Sequence, residues 1–163
     1  MSKLIIRHAF PEDSEQVTEL ERQCFPEAEA ARRETFEVRL NNFSETFWVM
    51  ELDSRIICMI NGMPTNCTDL CDEMYEGTKL YTPDGSQLMI FGVATHPEHQ
   101  GKGYASELMK HVIEETRHQG RKGIVLTCKA ELISFYERFG YINEGVSQSE
   151  HGGAEWYQMR LSL

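Results

Sequence analysis

Hydrophobic and polar residues in the first third of the chain recur with periods that change from strand-like to helical and back. The apolar run in "KLIIRHA" is β-rich and predicts a first strand. In "PEDSEQVTELERQCF", Val17, Leu20 and Cys24 recur at helical spacing behind early acidic residues, which predicts a helix. The segment "FPEAEAARRETFEVRLNNF" predicts a second helix after a break at Pro26. A hairpin of two strands joined at "DS" is then predicted over "TFWVMELDSRIICMINGMP".

The second half of the chain alternates nearly continuous apolar runs with amphipathic segments. "QLMIFGVAT" predicts a strand buried on both faces, and "GIVLTC" predicts another buried strand. "ELISFYERFG" predicts a short helix that ends at Gly140, and "YINEGV" and "AEWYQMRLSL" predict closing strands. Between the two buried strands lies a helix that reaches His118, with an apolar stripe formed by Ala105, Leu108, Met109, Val112 and Ile113.

This order of elements predicts one α/β domain over residues 1–163. Strand–helix–strand crossings in the second half require parallel pairing, whereas the hairpins require antiparallel pairing, so we expect a mixed sheet. The connection from Pro64 to Ser86 is polar and punctuated by glycine and proline, with a short helical piece near "TDLCDEMY". Connections of this length are often functional, so we expect a lid or binding loop here.

The acidic composition narrows the classes of partner. A net charge of −10 argues against nucleic acid, because neutralising phosphates needs a basic face. It suits a cationic substrate such as an amine, and it serves solubility equally well. The chain has no apolar run of about 18 residues and its first residues lack the apolar core of a signal peptide, so we expect no membrane partner and a cytoplasmic location. The five cysteines are odd in number and lack zinc-ligand spacing, so we expect free thiols and no metal.

Two glycines flank a lysine at the start of the long helix, in "HPEHQGKGYASEL". The first backbone N–H groups of a helix have no internal partner, and glycines let an anion such as pyrophosphate approach them. An ordinary helix start with incidental glycines is the alternative. The P-loop pattern is excluded because Lys102 is followed by Gly103, and the dinucleotide fingerprint is excluded because Ser106 stands where its last glycine is required.

Two blocks of the chain resemble one known family. "VATHPEHQGKGYASELM" resembles the acetyl-CoA signature of the GNAT family of N-acetyltransferases, Gln/Arg-x-x-Gly-x-Gly/Ala, which Gln100, Gly103 and Ala105 match. "FYERFGY" resembles the family's second block, again after a buried strand, and the two blocks with their strands span Gln87–Val146. The block "CKAELISFYERFGY" and the chain end "MRLSL" are most similar to the arylalkylamine (serotonin-type) branch.

The resemblance implies a mixed, mostly antiparallel sheet of about seven strands flanked by about four helices, splayed where acetyl-CoA binds. It implies that pantetheine lies along the central strand, and that the backbone N–H of Val93 lies near the thioester and stabilises the oxyanion. It implies that pyrophosphate rests on the N–H groups at the helix start. The cofactor-binding set is then Phe91, Val93, Ala94, Thr95, Gln100, Gly101, Lys102, Gly103, Tyr104, Ala105, Ser106, Phe135 and Tyr136.

Acetyl transfer to an amine needs a base for the ammonium and an acid for the departing thiolate. Tyr136 matches the family's tyrosine acid, although it also belongs to an apolar helical stripe. The arylalkylamine branch has two histidines on the central strand, but Met89 and Phe91 stand at those positions here. Other candidate bases are Glu51 on the hairpin and Glu73 in the long connection, whereas His96 is better explained as a turn residue.

The function predicted from these features is transfer of an acetyl group from acetyl-CoA to a primary amine of a small, arylalkyl-type substrate. Candidate substrate-binding residues are Phe25, Met63 and Met89, for each of which core packing is the alternative. A protein or peptide N-acetyltransferase is a second reading, and a non-catalytic acyl-CoA sensor is a third because the expected histidines are missing. We expect a monomer or a homodimer.

Overall fold

Seven strands form one sheet in the computed structural model, which describes residues 3–163. The sheet order is β1-β2-β3-β4-β5-β7-β6. Among the described residues, every neighbouring pair is antiparallel except β4 and β5. The predicted mixed, mostly antiparallel sheet is therefore confirmed. The strands are β1 (Leu4–His8), β2 (Phe47–Leu52), β3 (Arg55–Thr65), β4 (Gln87–Thr95), β5 (Gly123–Cys128), β6 (Ile142–Val146) and β7 (Tyr157–Ser162).

Helices cover both faces of this sheet, and strand alternation decides which residues meet them. In β2, Phe47 and Val49 pack with the first two helices, whereas Trp48 and Met50 pack in the core that holds the third and fourth. Successive strand side chains point to opposite faces, so one apolar run supplies both cores. The helices are α1 (Ser14–Cys24), α2 (Arg33–Asn42), α3 (Tyr104–His118) and α4 (Ile133–Glu137).

The helix predicted to follow Pro26 begins only at Arg33, so that prediction is wrong for the first part of its range. The Pro26 carbonyl accepts the N–H groups of Glu29 and Ala30 in a turn. The N–H of Ala31 then donates to a side-chain oxygen of Glu21 at 2.9 Å and not to a helical carbonyl. A carboxylate on α1 therefore takes a backbone donor that a continuous helix would need.

The connections follow the turn signals of the sequence. The β2–β3 hairpin turns at Asp53 and Ser54, which have φ angles of 50° and 72°. Both central residues of the turn are left-handed, as a tight hairpin requires. The long connection between β3 and β4 contains one short 3₁₀ turn, Asp72–Glu76, near the helical piece that the sequence predicted.

The parallel pair separates halfway along β4. Backbone pairing between β4 and β5 covers Gln87–Ile90 of β4, whereas β4 continues beside β3 as far as Thr95. A bulge in the β3–β4 pairing leaves Phe91 without a register partner at this point. The predicted burial of β4 on both faces therefore holds only up to Ile90, because Phe91, Gly92 and Val93 border an opening. The predicted splay of the sheet is present.

Candidate active site

The opening between β4 and β5 is a cavity of about 230 Å³. Five separate segments of the chain line it, which are α1 with the turn after it, the long connection, the splayed half of β4, β5 with α4, and the segment before β7. The lining residues are Glu21, Cys24, Phe25, Pro26, Glu29, Tyr75, Phe91, Gly92, Val93, Thr127, Cys128, Lys129, Leu132, Tyr136, His151 and Trp156.

The start of α3 presents unpaired N–H groups at the end of β4. Gly101 and Gly103 have φ angles of 75° and 85°, and α3 begins at Tyr104 without a side-chain cap. L-residues other than glycine rarely adopt this left-handed backbone, so the conformation itself requires glycine at both positions. Nothing lies within 4 Å of a Cβ built on either residue, so the space beside them is open. An uncapped helix start of this kind favours an anionic ligand.

Hydrogen bonds tie this loop to the end of β4. The side-chain amide of Gln100 donates to the Thr95 carbonyl at 3.1 Å, and the Cys24 thiol donates to the same oxygen at 3.1 Å. His96 caps the following turn, since its Nδ1 accepts the Glu98 N–H at 3.1 Å. Gln100 therefore holds the loop in place through its side chain, and His96 is a turn residue.

The remaining predicted cofactor residues lie in the glycine loop, in the first turn of α3 and on β4. Lys102 is exposed in the loop, whereas Tyr104, Ala105 and Ser106 are half-buried in the first turn of α3. Ala94 is buried in the core beneath α1 and α2, so only its backbone is available at the opening. Of the predicted residues on β4, Phe91 and Val93 line the cavity.

Glu21 is a buried carboxylate at one wall of the cavity, with only 7% of the residue exposed. Burial raises its pKa, partly opposed by the hydrogen bond from the Ala31 N–H and by the charge of Arg39. Oε1 lies 3.9 Å from the point where a Cβ on Gly92 would stand, at the splayed half of β4. A carboxylate with a raised pKa beside the splayed strand has the properties of a general base.

Sequence reasoning missed Glu21, although the sequence holds a signal for it. Glu21 falls four residues after Val17 and directly after Leu20, and both of those side chains are fully packed in the core. It is therefore an acidic residue on the apolar face of an amphipathic helix. Charged residues at such positions are rarely buried without a specific reason.

Tyr136 lies on α4 and lines the cavity. It is buried, and burial together with the nearby Cys128 raises its pKa, so the hydroxyl keeps its proton at neutral pH. Its ring packs edge-on against Phe135 and Tyr141, at centroid distances of 5.0 and 5.7 Å. Phe135 packs on the core next to Tyr136 and is absent from the cavity lining, whereas Leu132 lines the cavity.

Aromatic rings form another wall. Tyr75 stacks on His151 with a centroid distance of 4.8 Å and packs against Phe91 at 5.0 Å. Trp156 donates from Nε1 to the His151 carbonyl at 2.7 Å. Phe25, predicted to bind substrate, also lines this cavity.

A second carboxylate lies at the cavity edge in an ion pair. Glu29 Oε2 is 2.8 Å from the Lys129 ammonium, and Glu29 Oε1 is buried without a hydrogen-bond partner among the described residues. The His151 ring lies 2.7 Å from the Glu29 carbonyl through Nε2. These contacts join the turn after α1 to β5 and to the segment before β7.

Several sequence candidates lie away from the cavity. Met63 and Met89 are fully buried in a core cluster with Phe43, so the structure does not bring them to the lining. Glu51 is held by the Arg7 guanidinium at 2.7 Å on β2. Glu73, on the short turn of the long connection, is also absent from the lining.

Comparison with known proteins agrees with this geometry. The profile of the acetyltransferase (GNAT) family matches residues 14–141. An uncharacterized N-acetyltransferase ycf52-like from Prochlorococcus marinus is 38% identical over 58 residues, which are 36% of this chain and 32% of that protein. A probable N-acetyltransferase family 8 member 5 from Mus musculus is 26% identical over 107 residues, which are 64% of this chain and 41% of that protein. The matched parts thus span less than half the length of these curated relatives.

Solved structures share the fold across nearly the whole chain. The loading GNATL domain of CurA from Lyngbya majuscula superposes with a TM-score of 0.85 at 16% identity, covering 98% of each chain. Arabidopsis thaliana Naa50, solved with the bisubstrate analogue CoA-Ac-MVNAL, has a TM-score of 0.76 at 15% identity and covers 98% of this chain and 99% of that one. At these identities the likeness establishes the fold.

The chain belongs to the acetyltransferase (GNAT) family, because the family profile covers most of it. Within the family, the relatives above come from the ycf52-like and family 8 groups and not from the arylalkylamine branch. The residues present fit acetyl-CoA, the co-substrate of this family. The unpaired edge of β4 suits an extended pantetheine, and the left-handed glycines open the helix start to phosphate. Among residues 3–163, no helix combines the length and apolarity needed to cross a bilayer.

Proposed function

We propose that this chain is an acetyl-CoA-dependent N-acetyltransferase that acetylates the primary amine of a small, arylalkyl-type substrate by direct attack on the thioester. The observation that carries the proposal is the cavity at the splay, where a buried carboxylate, Glu21, and a buried hydroxyl, Tyr136, line one space beside the free edge of β4. Such a pair supplies the two proton movements that acetyl transfer requires.

The chain's own backbone holds the co-substrate. Acetyl-CoA supplies an activated acetyl group as a thioester. The N–H groups from Gln100 to Ser106 bind its pyrophosphate, and the backbone from Phe91 to Thr95 binds its pantetheine, with Ala94 taking part through its main chain only. The N–H of Val93 donates to the carbonyl oxygen as negative charge develops there.

Two side chains move the protons. Glu21 accepts a proton from the substrate ammonium, so that the free amine attacks the carbonyl carbon. A C–N bond forms, the C–S bond breaks, and Tyr136 donates its proton to the departing thiolate. The nitrogen then loses its second proton, which restores the Tyr136 hydroxyl, and Glu21 releases its proton to solvent. The raised pKa of Glu21 brings its proton affinity closer to that of an amine, and the raised pKa of Tyr136 keeps the acid protonated at neutral pH.

The lining of the cavity supports a cationic amine with an aromatic or apolar body. The rings of Phe25, Tyr75, Phe91 and Trp156 provide apolar and π surface, and Glu21 provides negative charge. Phe25 is the one residue of the predicted substrate set that lines this space. A cytoplasmic location, the lack of a nucleic-acid partner and a monomer or homodimer remain predictions.

Free CoA released from acetyl-CoA over a panel of amines tests the proposal. Small aromatic amines should release CoA at rates well above hydrolysis, and Glu21→Gln should abolish the excess. Faster turnover of peptides than of any small amine would favour the protein or peptide reading. Tight binding of acetyl-CoA without turnover of any amine would favour the sensor.

A further inference from the structure

A second cavity, of about 310 Å³, adjoins the first on the side away from α4. Glu21, Glu29, Tyr75, Phe91 and His151 line both cavities, so the two spaces meet at the proposed base. Three residues along α2 line the second cavity and not the first, and these are Arg32 at the N-cap, Thr35 in the first turn and Arg39 in the last turn. Because Glu29 is paired with Lys129, the negative charge of the shared wall comes from Glu21, whereas α2 brings positive charge to the second cavity.

Arg39 is a buried cation that the charges of Glu21 and Glu76 stabilise without a hydrogen bond from Arg39 to either carboxylate among the described residues. It is 3% exposed, and its two hydrogen bonds go to neutral oxygens, Asn61 Oδ1 and the Tyr75 carbonyl, each at 2.9 Å. Its Nε is buried without a partner among the described residues. The Phe91 ring lies 4.5 Å from the guanidinium carbon. A buried charge is costly unless it is paired, so a cavity-lining guanidinium with no hydrogen-bonded carboxylate favours an anionic ligand.

The start of α2 adds positive potential to the same wall. Arg32 is the N-cap residue and makes no side-chain cap, which leaves the first N–H groups unpaired. Arg32, Thr35 and Arg39 are spaced three and four residues apart, so they share one face of the helix. The acids Glu27 and Glu76 also line this cavity, but both are exposed, where solvent screens them more than it screens Arg39.

The Asn61 side chain contacts Arg39 and lies beside the same strand position as Glu21. Asn61 accepts from Arg39 through Oδ1, and its Nδ2 lies 3.7 Å from the Cβ position of Gly92, beside which Glu21 Oε1 also lies. Within residues 3–163, Asn61 Nδ2 is itself buried without a hydrogen-bond partner. The Glu21 carboxylate and the Arg39 guanidinium both line this second cavity. A small ligand that carries both a cation and an anion would match this pair of charges.

We propose that the acceptor is an α-amino acid with an apolar or aromatic side chain, whose ammonium faces Glu21 and whose carboxylate faces Arg39 and the start of α2. This inference rests on the proposed function and narrows its substrate class. The aromatic wall then receives the amino acid's side chain, and the free α-carboxylate distinguishes the acceptor from both a simple arylalkylamine and a peptide N-terminus.

Matched acceptors test the inference through CoA release at saturating acetyl-CoA. The set is L-phenylalanine, L-phenylalaninamide, 2-phenylethylamine and the dipeptide phenylalanyl-glycine, which share one apolar group. We expect kcat/KM for L-phenylalanine to exceed each of the others by at least about tenfold, as a charge-assisted hydrogen bond supplies. Equal or better turnover of the others overturns this inference and leaves the proposed function standing. No CoA release with any amine overturns both.

Variants on α2 test which residues cause the preference for an acceptor with a free carboxylate. Arg39→Gln should reduce the ratio of L-phenylalanine to phenylalaninamide turnover to near one. Because a buried position risks the fold, Arg32→Gln, at an exposed position, is the second variant and should lower the ratio about threefold or more. Arg33→Gln is the matched control, since Arg33 lies in the same helical turn without lining this cavity. An unchanged ratio in Arg32→Gln and in folded Arg39→Gln overturns the inference.

Discussion

The two halves of the candidate site are built in opposite ways. The cofactor half is a continuous piece of chain from β4 through the glycine loop into α3, within Gln87–His118. Besides the splayed half of β4, the acceptor half is assembled from four segments that are far apart in sequence, with Glu21 and Trp156 on the same cavity. A site formed by one continuous segment is visible in the sequence as a motif. A site formed by distant segments appears there only as isolated residues.

This difference implies that the two halves are separable by mutation. Changes at the glycine loop should act on acetyl-CoA, and changes at Glu21 or on α2 should act on the amine. Each variant should therefore affect one half of the site. A variant that changes the KM for acetyl-CoA and the KM for the amine equally would show that the halves are not separable.

Glu21→Gln should have the largest effect. Removing a general base lowers kcat/KM for the amine by about 10²- to 10⁴-fold, with the affinity for acetyl-CoA retained. Glu15→Gln, at an exposed position of the same helix, is the control and should leave the rate unchanged. A fall of less than tenfold in Glu21→Gln would show that the base lies elsewhere.

Glu21→Gln should lower the rate of acetylation but raise the stability of the folded protein. Because burial raises the pKa of Glu21 in the folded state, its contribution to stability is complete below its unfolded pKa and is lost as pH rises through the folded one. Glutamine does not ionise, so the variant does not lose this stability at neutral pH. Its melting temperature should exceed that of the wild type by about 2–4 °C for each kcal/mol gained in the free energy of unfolding. Melting curves of both proteins from pH 4 to pH 8 test this, and a difference between the two melting temperatures that does not change with pH would contradict it.

Tyr136→Phe should have the second largest effect. Loss of the proton donor should lower kcat about 10- to 100-fold, while both KM values stay within about twofold. Tyr141→Phe is the control, because that hydroxyl belongs to a neighbouring buried ring that does not line the cavity. Equal rates for Tyr136→Phe and the wild type would exclude Tyr136 as the acid.

Much of the fold and of the cofactor half follows from the sequence. Period-two and helical patterns predicted the strands and three of the helices closely, and "QGKG" led to the helix start. The late start of α2 was missed because the Ala31 N–H is taken by Glu21, a contact that no local pattern contains. Apart from Phe25 and Tyr136, the acceptor half was missed for the same reason, since tertiary packing alone brings α1, α2 and the segment before β7 together.

Gly103→Ala should have the smallest effect and should act on the other half. An alanine at this left-handed φ of 85° costs about 1–2 kcal/mol. The strained loop should raise KM for acetyl-CoA severalfold and leave KM for the amine unchanged. Gly77→Ala is the control, because Gly77 has no atom within 4 Å of a Cβ and an extended backbone. A larger change in the amine KM than in the acetyl-CoA KM would contradict the separation of the two halves.

The most direct test is the melting temperature of the wild type and of Glu21→Gln as a function of acetyl-CoA concentration. A ligand that binds only the folded state stabilises it by RT ln(1 + [L]/Kd), about 2.7 kcal/mol at one hundred times Kd. Both proteins should be stabilised in parallel, because the cofactor half does not include the base. No rise in the melting temperature of the wild type at millimolar acetyl-CoA would contradict the account.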